Sequence, residues 1–276
     1  MNGLYIMKIS QKRAVVCSFI VLFLVAVACA VASYRRNLVW RDSLTLWADA
    51  VAKSRGKARV HYNYGNELST AGRFEEAYKE TILTLSIYPY SSHAHFNLGA
   101  IYHYWGATDK AIEEYRLAVS LKPEFVEAHN NLGFAYYTQG RLDDAMAELE
   151  TARMYNPAFV KTYLNIAKVY KAQARFEEAL SAYRQALLYA PYNADIYYAI
   201  GMTRLAQGEF YAAVEAFETA IRIKPSYGAP YAGLGQIYEK EGRFDAAAAQ
   251  YQTALNLDPD DEETLKRLRS LIGPGR

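Results

Sequence analysis

The sequence repeats itself at a period of 34 residues, in six consecutive blocks over 58–91, 92–125, 126–159, 160–193, 194–227 and 228–261. Such a period limits the fold at once. Each block is a supersecondary unit that buries its apolar face only by stacking on its neighbours. The eighth position holds Gly65, Gly99, Gly133, Ala167, Gly201 and Gly235, where a small residue lets two helices cross closely. The twentieth holds Ala77, Ala111, Ala145, Ala179, Ala213 and Ala247, and the twenty-seventh is Ala in every block but the first, which has Thr84. Each block closes on a proline, from Pro89 to Pro259, whose missing amide hydrogen ends a helix.

A glycine near each mid-point (Gly72, Gly106, Gly140, Gly208, Gly242, with Ala174 the exception) separates two helical patterns of about 12–14 residues, so each block is a helix hairpin. These residues resemble the tetratricopeptide repeat (TPR) family, as in NLGFAYYTQGRLDDAMAELETARMYNP from Asn131 to Pro157. The resemblance implies an all-α fold, a right-handed superhelical solenoid whose first helices line a concave groove. Leu68 and Arg204 replace the tyrosine usual at the eleventh position and Thr81 the large residue at the twenty-fourth, so looser packing is expected in the first and fifth repeats. Beyond Pro259, Asp260 and Asp261 offer N-cap oxygens to a capping helix whose Leu265, Leu268 and Leu271 share one face. Trp47 and Ala50 stand in register with a second TPR helix, making 35–57 a half-repeat junction. That junction is similar to the one in multi-pass glycosyltransferase-like membrane proteins with a TPR tail, although their catalytic part is absent.

From Ala14 to Ser33 the chain reads AVVCSFIVLFLVAVACAVAS, bracketed by Lys8, Lys12 and Arg13 and by Arg35 and Arg36. About 20 uncharged residues suffice to cross a bilayer as a helix. Three readings are open: an uncleaved anchor, a signal peptide cleaved after Ala30-Val31-Ala32, and a lipidated Cys29. The length of the run favours a transmembrane anchor over 14–34, behind a basic head at 1–13. The expected localisation is single-pass membrane, with the array outside the cytoplasm.

Basic and acidic residues number 31 and 29 and are spread along the chain, so no stripe of positive charge exists to grip a phosphate backbone. Nucleic acid is not expected as a partner. Tyrosine is abundant at 25 residues, which suits both repeat packing and interfaces. No phosphate-cradling glycine loop, nucleophile elbow or paired cysteine ligands occur, so neither catalysis nor a cofactor nor a small-molecule substrate is expected. His61, His95 and His129 recur at position four, one per repeat. Adjacent repeats are too far apart for three imidazoles to meet about 2 Å from one ion, so packing histidines are expected and no metal.

Position six faces the groove in the TPR family, and here it reads Asn63, Asn97, Asn131 and Asn165. This ladder is similar to the one in the groove of the O-linked N-acetylglucosamine transferases. An amide both donates and accepts, so it can pair with peptide backbone of any sequence. Capping of neighbouring helices is an equally open reading. Tyr62, Asn66, Phe96, Asn130, Phe134, Lys161, Lys168 and Tyr198 complete the candidate peptide-binding groove, beside His93, His103, Tyr137 and Met202. The lysine and asparagine pattern that clamps a chaperone's terminal carboxylate is not matched, because Tyr62, Glu127 and Asn131 occupy its slots. The function expected is a membrane-anchored scaffold binding a partner protein or extended peptide. The alternative is an accessory subunit or degenerate relative of an envelope glycosyltransferase.

Overall fold

A computed structural model describes residues 20–34, 36, 37 and 40–272. Among the described residues all regular structure is helical. Residues 20–34 form α1. There follow α2 (Ser43–Lys53), α3 (Ala58–Thr70), α4 (Phe74–Ile87), α5 (Ser92–Tyr104), α6 (Thr108–Leu121), α7 (Val126–Thr138) and α8 (Leu142–Tyr155). The array continues through α9 (Val160–Ala172), α10 (Phe176–Tyr189), α11 (Ala194–Gln207), α12 (Phe210–Ile223), α13 (Gly228–Lys240), α14 (Phe244–Leu257) and α15 (Glu262–Ile272). The chain forms two compact units, up to Ile101 and from Tyr102.

In the first unit α3 packs on α4, and α2 packs on α3. Leu68, Ala77 and Ile101 form a buried cluster, with Leu44 of α2 laid against it. The unusual residues of the first repeat therefore pack fully. Leu68 is completely buried, and the hydroxyls of Thr81 and Thr84 donate to their own helix at Ala77 O (2.7 Å) and Glu80 O (2.9 Å). Asp42 caps α2 by accepting from the Thr45 amide at 2.8 Å.

In the second unit the hairpins α7–α8, α9–α10, α11–α12 and α13–α14 each pack internally, and each second helix also meets the next first helix. Close crossing depends on the small residue at position eight. A Cβ on Gly201 would lie 2.5 Å from the Phe217 ring, and one on Gly233, at position six of the next repeat, would come equally close to the same ring. Phe217 is fully buried between them. The α15 helix closes the array. Leu268 is buried among Tyr251, Ala254 and Leu255, while Asp261 accepts from the Thr264 amide at 3.0 Å and its hydroxyl at 2.6 Å.

The turn inside each hairpin is the same device repeated. Gly140 has φ +74°, its amide donates to Tyr137 O, and the Arg141 amide donates to Tyr136 O. This pair of bonds satisfies the last carbonyls of the first helix. Ala174 takes the same left-handed conformation at φ 58°, with the equivalent bonds to Lys171 O and Tyr170 O. The residue after the turn then secures the hairpin. Arg141 lies 4.2 Å from the Tyr136 ring centroid and Arg175 4.6 Å from that of Tyr170, and each also bridges the acid three residues on. The fifth repeat replaces this pair with another: Arg204 stands at the tyrosine position, Glu209 at the arginine position, and they form an ion pair at 2.7 Å. Arg204 also reaches Glu177 of the preceding repeat at 3.0 Å. The departure at Arg204 thus adds a link between repeats where looser packing was expected.

Among the described residues no helix is long and apolar enough to cross a membrane. The expected single-pass membrane localisation, and with it the array's placement outside the cytoplasm, is corrected on that finding. Residues 1–19, where the sequence places the basic head and the start of the anchor, lie outside the described residues.

Candidate functional site on the first-helix face

The position-four histidines are structural. The Nε2 of His129 lies 2.8 Å from Pro123 O, six residues back, and its Nδ1 lies 2.6 Å from Glu148 Oε2 on α8. His61 repeats this geometry with Arg55 O at 2.8 Å and Glu80 Oε2 at 2.6 Å. His95 Nε2 reaches Pro89 O at 2.9 Å, and the hydroxyl of Tyr163 donates to Pro157 O at 2.8 Å from the same repeat position. Position four therefore ties the first helix of each of the first four repeats to the turn before it. Burial alone would lower the His129 pKa, but the Glu148 carboxylate and the Pro123 carbonyl outweigh it and raise it. Both ring nitrogens face acceptors, so the imidazolium satisfies both and the neutral ring only one.

The second unit draws part of the expected groove into one connected site. α7 lies beside α9, so equivalent positions of successive first helices are neighbours. Lys168 Nζ donates to Asn165 Oδ1 at 3.2 Å, and Asn165 Nδ2 donates to Asn130 Oδ1 at 3.1 Å. Asn130 Nδ2 donates to Asn131 Oδ1 at 3.2 Å, and Asn131 Nδ2 reaches the Tyr115 hydroxyl at 3.5 Å. Three amides thus form a chain, each accepting one bond and donating one. Asn130 is buried at 4% exposure, and Asn131 and Asn165 are half-buried. Asn131 and Asn165 each retain a further N–H and carbonyl lone pair for a ligand, while Asn130 is the buried joint between them. Burial pushes the Tyr115 hydroxyl up to about 12, opposed by the bond from Asn131, so the chain ends on a neutral phenol.

An aromatic stack adjoins the amides. His103 stacks on Phe134 at 5.5 Å between ring centroids, and Phe134 on Tyr137 at 5.9 Å. Burial lowers the His103 pKa, so it joins the stack as a neutral ring. The Lys168 ammonium lies 4.6 Å from the centre of Phe134. Desolvation lowers the pKa of Lys168, and likewise that of Lys171 one turn on. Lys161 is exposed at the start of the same helix.

The other expected groove residues stand apart from this network. Tyr198 is spent on packing: it lies against the cluster around Phe217 and meets Tyr227 edge-on at 5.6 Å. In the first unit Tyr62 meets His93 edge-on at 6.2 Å, in a cleft shared with Arg59, Tyr88 and Ser91. Asn63, Phe96 and Asn97 are half-buried there on α3 and α5, and Asn66 is exposed. Sequence reasoning placed Asn130 beside the ladder but missed that it is the buried joint between Asn131 and Asn165. It also left Lys171 and Tyr115 out of the candidate groove. The available signals were the place of Lys171 at position twelve, one helical turn from Lys168, and the recurrence of tyrosine at position twenty-four in Tyr115, Tyr183 and Tyr251.

Similarity to known proteins agrees with this architecture. Models described as tetratricopeptide repeat match residues 126–159, 164–228 and 204–272, and one described as TPR repeat matches 99–140. No curated protein matches the sequence significantly. Among solved structures, the APC/C hetero-tetramer Cut9–Hcn1 superposes with TM-score 0.71 at 16% identity, over 83% of this chain and 46% of that one. The chain therefore spans about half the length of that relative. Pseudomonas aeruginosa PilF superposes with TM-score 0.64 at 18% identity, over 77% of this chain and 97% of its own. YrrB, described as a TPR protein with an unusual peptide-binding site, gives TM-score 0.52 at 20% identity, over 67% and 95%. At these identities the likeness concerns the fold. The likeness of the junction to glycosyltransferase-like membrane proteins finds no support in these comparisons. With the repeat models together spanning more than half the sequence, the chain belongs to the tetratricopeptide repeat family.

Proposed function

We propose that this protein is a scaffold that holds an extended segment of a partner protein along the first-helix face of its second unit, over α7 and α9. The observation that carries the reading is the amide chain from Lys168 through Asn165 and Asn130 to Asn131. The chain fixes the amides' orientations in advance, which lowers the entropic cost of binding, and the remaining hydrogen-bonding groups of Asn131 and Asn165 suit a peptide backbone. The flanking stack of His103, Phe134 and Tyr137 supplies apolar surface for side chains. The reading is of a binding module and not an enzyme: amides, aromatic rings and an ammonium are suited to hold a chain, and none is coupled to a nucleophile.

Asn63, Asn66, Asn97, Tyr62 and Phe96 are assigned to a corresponding face of the first unit, and Lys161 to the edge of the main site. In the same reading 35–57 is a half-repeat, 58–261 the six repeats and 262–276 the closing segment. The contact of Leu44 with the first-repeat core supports that division.

The test is selection of peptides from a random display library on the full chain, followed by affinity measurement. Phe134→Ala and Asn131→Ala should each weaken a selected peptide by about 1–3 kcal/mol, the cost of a lost anchor or an unpaired backbone group. Peptides that bind both variants as well as the parent chain would refute the proposal.

A further inference from the structure

The first-helix face of α9 carries more positive charge than the protein neutralises. The helix holds Lys161, Lys168 and Lys171 and no acidic residue. Among the described residues none of the three forms an ion pair. Their neighbours at equivalent repeat positions differ along the helix. Lys161 falls between Glu127 and Asp195 at position two. Lys168 falls between Phe134 and Met202 at position nine, and Lys171 between Tyr137 and Leu205 at position twelve. The charge is therefore compensated in register at the start of α9 and uncompensated at its end. Three residues apart on a helix, Lys168 and Lys171 lie on one side of it.

Lys168, although exposed, is set against an aromatic ring, and Lys171 one turn on is half-buried. Lys168 lies over Phe134, and its one polar bond, to Asn165 Oδ1, leaves ammonium protons unused. Desolvation already disfavours the charged form of both lysines. An ammonium in that situation gains from an anion that brings its own charge. The aromatic stack beside it accepts a flat apolar group.

Building on the reading above, we infer that Lys168 and Lys171, with the Phe134 stack, form an acidic-side-chain subsite, and that the partner segment is an extended peptide carrying Asp or Glu next to an aromatic residue. The carboxylate bridges the two ammonium groups, the neighbouring aromatic side chain lies on Phe134 and Tyr137, and the peptide backbone pairs with Asn165 and Asn131. A carboxylate on a side chain differs in register from a terminal one. Its chain continues in both directions along the face.

The probes are a fluorescent peptide alternating Phe and Asp, capped at both ends, and its Phe and Asn counterpart, titrated against the full chain by fluorescence anisotropy. The acidic peptide should bind about tenfold tighter than its amide counterpart, and that advantage should shrink as salt screens the contact. It should vanish in the double variant Lys168→Gln, Lys171→Gln and persist in Lys168→Arg, Lys171→Arg, with melting curves checked for both. Equal binding of the two peptides to the parent chain overturns the inference, as does binding of neither, or an advantage that survives the glutamine variant. If the two peptides bind equally and both weaken in Phe134→Ala, the first-helix reading stands and only the acidic assignment falls. If selected peptides also ignore Phe134→Ala, the reading itself falls.

Discussion

The side-chain amide of Asn165 donates to the side-chain carbonyl of Asn130 at 3.1 Å, joining two repeats through residues 35 apart in sequence. Asn130 is buried, so its carbonyl has little access to a water that could replace the bond. Asn165→Ala should therefore destabilise the protein by about 1–3 kcal/mol, the cost of a buried acceptor left unpaired. Urea denaturation measures this directly, and an unchanged midpoint would mean that solvent reaches Asn130 after all.

Ala174 offers a gain. It holds the left-handed conformation that glycine holds at the equivalent turns, including Gly140. A Cβ disfavours that conformation by roughly 1–2 kcal/mol. Ala174→Gly should raise stability by about 1 kcal/mol, and Gly140→Ala should lower it by a similar amount. If thermal melts of the two variants move in the same direction, the turns are not equivalent.

His129 makes stability depend on pH. Its folded pKa is raised above the ordinary 6.5, because Glu148 and Pro123 outweigh the effect of burial. A raised imidazole contributes stability that is fully present below about 6.5 and is lost as pH climbs through the folded value. Stability should fall over that window in the parent chain and fall less in His129→Gln. Denaturation midpoints at a series of pH values decide it; identical slopes would remove His129 as the cause.

Gly201 tests the crossing of α11 and α12. With a Cβ placed 2.5 Å from the Phe217 ring, Gly201→Ala should cost about 1–3 kcal/mol through forced repacking. Adding Phe217→Leu should recover part of that loss, so the two changes should be non-additive in a double-mutant cycle. Strict additivity would place the strain elsewhere.

The fold was legible because its determinants are periodic. Small residues at the crossings, prolines between repeats and glycines at φ near +74° recur at fixed offsets, and each acts through local backbone geometry that sequence specifies. Arg204 and Glu209 were harder. Read singly, Arg204 breaks the tyrosine pattern; read with Glu209, it exchanges a ring contact for an ion pair. The site was only partly legible for a related reason. Position six identifies which asparagines share a face, but which amide meets which depends on rotamers and on the offset between stacked helices. Tyr198 shows the same limit: its register matches the groove, yet its ring goes to the Phe217 cluster. The apolar run at the N-terminus is read as a membrane span from its composition, whereas among the described residues no helix is long and apolar enough to cross a membrane.

The central claim is that partner segments lie on the first helices of the second unit, and hydrogen exchange tests it most directly. Amide protection would be compared in the full chain with and without a display-selected peptide, segment by segment. Binding should slow exchange in α7 and α9, while α8 and α10 change little. Protection concentrated in α8 and α10, or confined to the first unit, would contradict the account.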